Sequence, residues 1–146
     1  MPRRDIDKLK GEIEELFADL WQVPGFASRR SGFRPNVDSY HTDEPHELTV
    51  VIELPGVDPR SLELVVGERT LVIAGERTRP KVDGCVYQQM EIEYGTFRRQ
   101  VHLPEDVDPE QASARYERGI VTITLPVTDS VPAPARGRIT VEVTRP

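Results

Sequence analysis

Cysteine is nearly absent from this chain: Cys85 is the only one in 146 residues. No internal disulfide can form, which fits a reducing compartment. Cys85 lies in a polar segment, where it is either an incidental thiol or a redox-sensing or intersubunit contact. Long apolar runs are missing too. Nothing approaches the roughly 20 residues of a membrane span, and charges stand at the N-terminus where a signal peptide needs an apolar core. The expected location is therefore the cytoplasm. Positive charge is in deficit, with a formal net charge of -6 and no lysine-rich or arginine-rich stripe. Short pairs such as Arg29-Arg30 do not offset repulsion by a phosphate backbone, so no nucleic-acid partner is expected.

Chemistry is equally thin. His41, His46 and His102 have no metal-type spacing with one another or with Cys85. There is no Gly-x-Ser-x-Gly elbow and no glycine-rich phosphate loop ending in Gly-Lys-Ser or Gly-Lys-Thr. The carboxylate pairs Asp43-Glu44 and Glu105-Asp106 adjoin turn-forming prolines and read as solvated loop residues. These absences predict no enzyme, no metal and no cofactor.

What the chain does contain divides into three parts: an N-terminal arm over 1–33, a strand-rich domain over 34–126 and an extension over 127–146. In the arm, Ile6, Leu9, Ile13, Leu16, Phe17 and Leu20 recur at steps of three and four, which predicts an amphipathic helix over about 5–21, capped by Asp5 and stopped by Gln22-Val23-Pro24-Gly25. The other face carries Lys8, Lys10, Glu12, Glu15 and Asp19. Such a stripe packs on the protein's own core or a symmetry mate, or lends apolar surface to other proteins. On the second reading Trp21, Phe26 and Phe33 extend the client-binding surface as an irregular, adaptable segment.

From Arg34 the period changes to two. Val37–Tyr40 forms a short strand, and Leu48, Val50, Ile52 and Leu54 alternate before Pro55-Gly56. Leu62, Leu64 and Val66 alternate before Gly67, and Leu71 and Ile73 precede Gly75. Phe97, Val101 and Leu103 share a face of a later strand ending at Pro104. In 114–126, Ala114 and Tyr116 lead to a turn at Gly119, and Val121, Ile123 and Leu125 alternate against Thr122 and Thr124 until Pro126. Many short strands without helical patterns between them predict an all-β, immunoglobulin-like antiparallel sandwich.

Two features of this domain look outward. The charged stretch 77–87 is long for a compact domain, and its apolar patch Val86-Tyr87 suits a short strand lent to the edge of a partner's sheet. Arg99 falls on the apolar face set by Phe97, Val101 and Leu103. Either its stem lies on the sheet while its head reaches water, or it pairs with a carboxylate across a dimer interface.

After Pro126, the residues up to Gly137 include Pro132 and Pro134 and are expected to be extended and mobile. Ile139 and Val141 then lie on one side of an extended backbone, either as a plug for two adjacent pockets or as one more strand of the same domain. Full burial of both would contribute about 3 to 6 kcal/mol before the ordering cost.

Pro35 with Val37-Asp38-Ser39-Tyr40, Glu53-Leu54-Pro55-Gly56-Val57, Gly75-Glu76-Arg77, Glu91 with Tyr94-Gly95-Thr96-Phe97-Arg98-Arg99, Leu103-Pro104, the 114–126 block and the tail motif occur in the order of a known family. On these residues the chain resembles the small heat-shock protein, or α-crystallin-type, family over nearly its whole length. It departs at Val121, where the family usually has leucine. The resemblance implies an ATP-independent holdase that binds unfolding client proteins and prevents their aggregation. Its dimers exchange the strand near Val86-Tyr87 and assemble into larger homo-oligomers. It also implies that Ile139 and Val141 dock in a neighbour's groove, lined by Leu62, Leu64 and Val66 from one strand and Ala112, Ala114 and Tyr116 from another. A rival expectation is a monomeric sandwich-fold co-chaperone or scaffold module.

Overall fold

The computed structural model describes residues 32–129 and 136–144. The helix expected over 5–21, its stripe from Ile6 to Leu20, and Trp21 and Phe26 lie outside the described residues. Nine strands form among those described: β1 (Val37–Asp43), β2 (His46–Glu53), β3 (Glu63–Gly67), β4 (Thr70–Arg77), β5 (Gly95–His102), β6 (Ser113–Glu117), β7 (Ile120–Pro126), β8 (Arg136–Ile139) and β9 (Val141–Val143). They make two sheets, a five-stranded one in the order β1-β2-β7-β6-β9 and a four-stranded one in the order β5-β4-β3-β8. Every pairing is antiparallel except β6 with β9.

The period-two pattern is what closes this sandwich. Val50 and Ile52 of β2 and Val121, Ile123 and Leu125 of β7 point into the same apolar cluster as Leu64, Val66, Leu71 and Ile73 of the facing sheet, all without exposed surface. Each contributes about 1.5 to 3 kcal/mol by leaving water.

A short repeat organises the loops that precede the two hairpins. Val57-Asp58-Pro59 and Val107-Asp108-Pro109 each start a 3-10 turn, Pro59–Ser61 and Pro109–Gln111, in which the aspartate side chain accepts from the amide of Arg60 or Glu110, at 3.0 Å in both cases. Proline at the first position loses no bond there, because that amide has no partner in a helical turn. Each turn feeds a tight hairpin, β3–β4 through Glu68-Arg69 (φ 52° and 58°) and β6–β7 through Arg118-Gly119 (φ 52° and 81°). Two left-handed residues in succession suit the twist of a two-residue hairpin. At Gly119 a side chain would also press on Pro55, 3.1 Å from the position of a Cβ.

Three expectations need correction. Phe33, assigned to the client-binding arm, is a core residue: its ring stacks edge-on against Phe97 at 5.4 Å, with the Arg77 guanidinium 3.7 Å above it. A large aromatic plug at the end of β5 buries more surface there than it could offer outside. The domain does not stop at Pro126, since Val127 bridges Val107 and the Thr128 amide donates to the Asp106 carbonyl at 3.0 Å. Finally, β3 and β4 do not simply alternate. Leu64, Val65 and Val66, and likewise Leu71, Val72 and Ile73, are all fully buried.

Candidate functional site

The two repeat units lead into β3 and β6, each the second strand from the end of its sheet, just inside the tail strands β8 and β9. Leu62 and Ala112 end the two 3-10 turns as their C-caps and lie half-buried against the core. Leu64 and Val66 on β3 and Ala114 on β6 are buried, and Tyr116 covers the end of the cleft, donating its hydroxyl to the Leu54 carbonyl at 3.1 Å. Burial raises the Tyr116 phenol above its ordinary pKa.

The tail fills this cleft by adding one strand to each edge. β8 runs antiparallel to β3, with Leu64 opposite Ile139 and Val66 opposite Gly137. After Thr140 the chain crosses to the other sheet, and β9 runs parallel to β6 with Ala114 opposite Val141 and Tyr116 opposite Val143. Ile139 is 5% exposed, Val141 is half-buried, and Val143 is 48% exposed. The Thr144 amide donates to the Tyr116 carbonyl at 2.9 Å, and Arg136 Nη2 lies 2.7 Å from Glu68 Oε1. Gly137 is required by contact rather than by φ, since a Cβ there would fall 2.7 Å from Cβ of Pro109.

In the single chain Ile139 and Val141 occupy this cleft as strands of the same domain. Without β8 and β9, β3 and β6 would present unpaired backbone groups, which an extended segment of any chain can satisfy.

A family model described as the Hsp20/alpha crystallin family matches residues 40–144, from within β1 to just past β9. The chain belongs to the Hsp20/alpha crystallin family. It is 38% identical over 128 residues to the alpha-crystallin of Mycobacterium tuberculosis, covering 83% of this chain and 81% of that protein. It is 33% identical over 132 residues to the 16.9 kDa class I heat shock protein 1 of Triticum aestivum, covering 80% and 86%. Among solved structures, a small heat-shock protein from Xylella fastidiosa, described as having a distinct high order structure, matches with TM-score 0.59 and 26% identity over 70% of this chain and 93% of that one. Heat shock protein 16.0 from Schizosaccharomyces pombe shares the fold, with TM-score 0.61 and 23% identity over 69% and 93%. Small heat-shock proteins are stress chaperones rather than enzymes.

In this Hsp20-type domain the other two sheet edges are β1 and β5, and the remaining predicted residues lie near them. The 78–94 loop between β4 and β5 contains no strand and leaves Val82, Val86, Tyr87, Met90 and Ile92 exposed, Val86 at 86%. Its root is fixed: Arg77 donates from Nε and Nη2 to the Glu93 carbonyl and from Nη1 to the Pro55 carbonyl at 3.2 Å. Arg79 lies over the Tyr94 ring at 4.5 Å and the Tyr87 ring at 5.2 Å. Arg99 sits on the core side of β5, opposite Ile73, and Nη1 donates to the Pro35 carbonyl at 2.5 Å. Among the described residues its hydrogen-bond partner is that backbone oxygen rather than a carboxylate. Desolvation lowers its pKa, helped by the charge of Arg34.

At the Glu105-Asp106 pair, Asp106 Oδ1 forms a surface ion pair with Arg69 Nε at 3.0 Å, and Glu105 Oε2 lies within hydrogen-bond distance of His46 Nε2, at 3.2 Å. No helix among the described residues is long and apolar enough to cross a membrane.

Proposed function

We propose that this protein is an ATP-independent holdase of the cytoplasm that binds unfolding client proteins and keeps them from aggregating. One observation supports this reading most: the β3–β6 cleft is filled by a segment with a single deeply buried side chain, Ile139. A contact of that size opens and closes readily, which suits exchange between copies of the chain. Exchange of Ile139 and Val141 between the clefts of neighbouring subunits would join dimers into larger homo-oligomers, with weak contacts made strong by number. The Xylella fastidiosa relative's high order structure is in keeping with this.

Dimers form in this reading when Val86-Tyr87 adds a strand to a partner's β1 edge, with Arg99 near the contact. Client proteins are held by the arm stripe Ile6, Leu9, Ile13, Leu16, Phe17 and Leu20, with Trp21 and Phe26, and by emptied clefts. Neither nucleotide nor metal takes part. Heating an aggregation-prone model protein with stoichiometric amounts of the chain, without nucleotide, tests the reading: suppressed light scattering supports it, and unchanged scattering refutes it. A second reading, the monomeric scaffold or co-chaperone module, is favoured by the tail lying on its own chain; sizing separates the two.

A further inference from the structure

The tail carries a repetition that its docking has to resolve. Ile139, Val141 and Val143 are branched residues at alternate positions, so a slip of two residues along the cleft keeps the same face turned inward. Such a slip sets Val141 opposite Leu64, where Ile139 now stands, and Val143 opposite Ala114, where Val141 now stands. Charge does not choose between the two registers. Arg136 lies opposite Gly67 and its Nη2 is 2.7 Å from Glu68 Oε1, but the slipped tail brings another arginine, Arg138, to the same place.

A residue without a side chain does choose. Gly137 lies opposite Val66, two positions before Ile139, and a Cβ there would fall 2.7 Å from the Pro109 Cβ. Carbon atoms in contact prefer roughly 3.5 to 4.0 Å. The slipped tail puts Ile139 at that position, where a branched side chain has no room. The opposite slip puts Gly137 opposite Leu64 and leaves the deepest site with no side chain in it. Pro109 is not free to retreat. It opens the 3-10 turn Pro109–Gln111, where the Asp108 side chain accepts from the Glu110 amide at 3.0 Å. The Asp108 amide donates to the Pro126 carbonyl at 3.3 Å, and Val107 bridges Val127. A proline ring on an anchored turn has no other rotamer to move into.

We propose that the cleft is a sequence-reading peptide site: it accepts an extended segment of the pattern Gly-x-Ile-x-Val in a single register and rejects Ile-x-Val segments that lack the glycine. Pro109 is the residue that sets this specificity, while Leu64 and Ala114 stand opposite the two branched side chains. The pattern occurs once in the chain, at 137–141, so the partner that fits is the tail of a second copy. That the donor is a second copy rests on the tail-exchange reading above; the rule for what enters does not. Assembly is then restricted to like chains, and a client segment enters an emptied cleft only under the same rule.

Binding in trans tests the proposal on the full-length chain carrying Ile139→Asp, whose own tail lacks its plug. A fluorescein-labelled peptide with the sequence of residues 136–143 is followed by anisotropy. It should bind saturably, and the same peptide with Gly137→Ala should bind at least about tenfold more weakly. Equal affinities, or no binding of the parent peptide, overturn the proposal. Adding Pro109→Gly to the receptor removes the blocking Cβ, and the alanine peptide should then bind within about twofold of the parent peptide. A gap that persists, or loss of both peptides, overturns the role of Pro109. Register is read by disulfide formation with the receptor carrying Cys85→Ser and Ala114→Cys. A peptide with Val141→Cys should couple at least about tenfold faster than one with Val143→Cys; equal rates overturn the single register. If the peptides are discriminated while the parent chain sizes as a monomer, the rule stands and tail exchange falls. Client scattering is likewise a separate readout, so the holdase reading can fail without this one.

Discussion

Truncating Ile139 to alanine isolates the cleft contact from the stability of the domain. Ile139 is the most deeply buried residue of the tail, facing Leu64 across the β3–β8 ladder. Replacing a buried isoleucine by alanine costs about 2 to 5 kcal/mol in a core that cannot collapse. Here the remaining support is the half-buried Val141 and two short ladders. Ordering nine residues, 136–144, opposes docking by about 1 to 2 kcal/mol each before those hydrogen bonds offset it. A loss of about 3 kcal/mol multiplies the undocked fraction roughly 100-fold. Because β8 and β9 are additions to edges, the cost should fall on docking and leave β2, β4 and β7 almost untouched. Amide hydrogen exchange followed by mass spectrometry measures this in the full chain. Peptides over 136–144 should exchange about two orders of magnitude faster in Ile139→Ala, while β2 and β7 peptides keep their rates. Unchanged protection of the tail would refute the reasoning, and so would a uniform loss across the sandwich.

Three further outcomes follow from particular contacts. Gly137→Ala drives a Cβ into the Pro109 ring, which cannot rotate away, so it should weaken tail docking by about 1 to 3 kcal/mol, read by the same exchange experiment. Tyr116→Phe should lower stability to urea by about 0.5 to 1.5 kcal/mol at neutral pH through loss of the hydrogen bond to Leu54. Since the folded state raises the Tyr116 pKa, its contribution is fully present below the ordinary tyrosine value of about 10 and is lost as pH rises through the folded value. Urea midpoints should therefore fall less between pH 9 and pH 11 in the variant than in the parent. Val86→Asp with Tyr87→Asp, on the exposed loop tip, should shift dilute protein from dimers towards monomers in sedimentation velocity without changing its circular dichroism.

The sandwich was legible because β2 and β7 alternate cleanly. Val50 and Ile52 point inward, and Thr122 and Thr124 separate Val121, Ile123 and Leu125, so period two reports both faces at once. β3 and β4 were less transparent. Their unbroken Leu-Val-Val and Leu-Val-Ile runs are the signature of strands covered on two sides, and reading alternate positions alone passed over Val65 and Val72. Phe33 was misassigned because its neighbours are Gly, Ser and Arg; only the three-dimensional position of Phe97 and Arg77 makes it core. The repeated Val-Asp-Pro that builds both walls of the cleft was present in the sequence as a visible signal and was missed. The cleft residues themselves came from the family resemblance rather than from periodicity. Pattern alone has no means of telling whether a plug such as Ile139 and Val141 enters its own groove or another's, because both satisfy the same backbone edge.

Native mass measurement of the full-length chain while the temperature is raised bears most directly on an assembly held by exchangeable tails. The account predicts large particles of several sizes at low temperature that shed dimers on warming, with Ile139→Ala already dissociated at the start. A single monomeric mass at every temperature, identical in parent and variant, would contradict it.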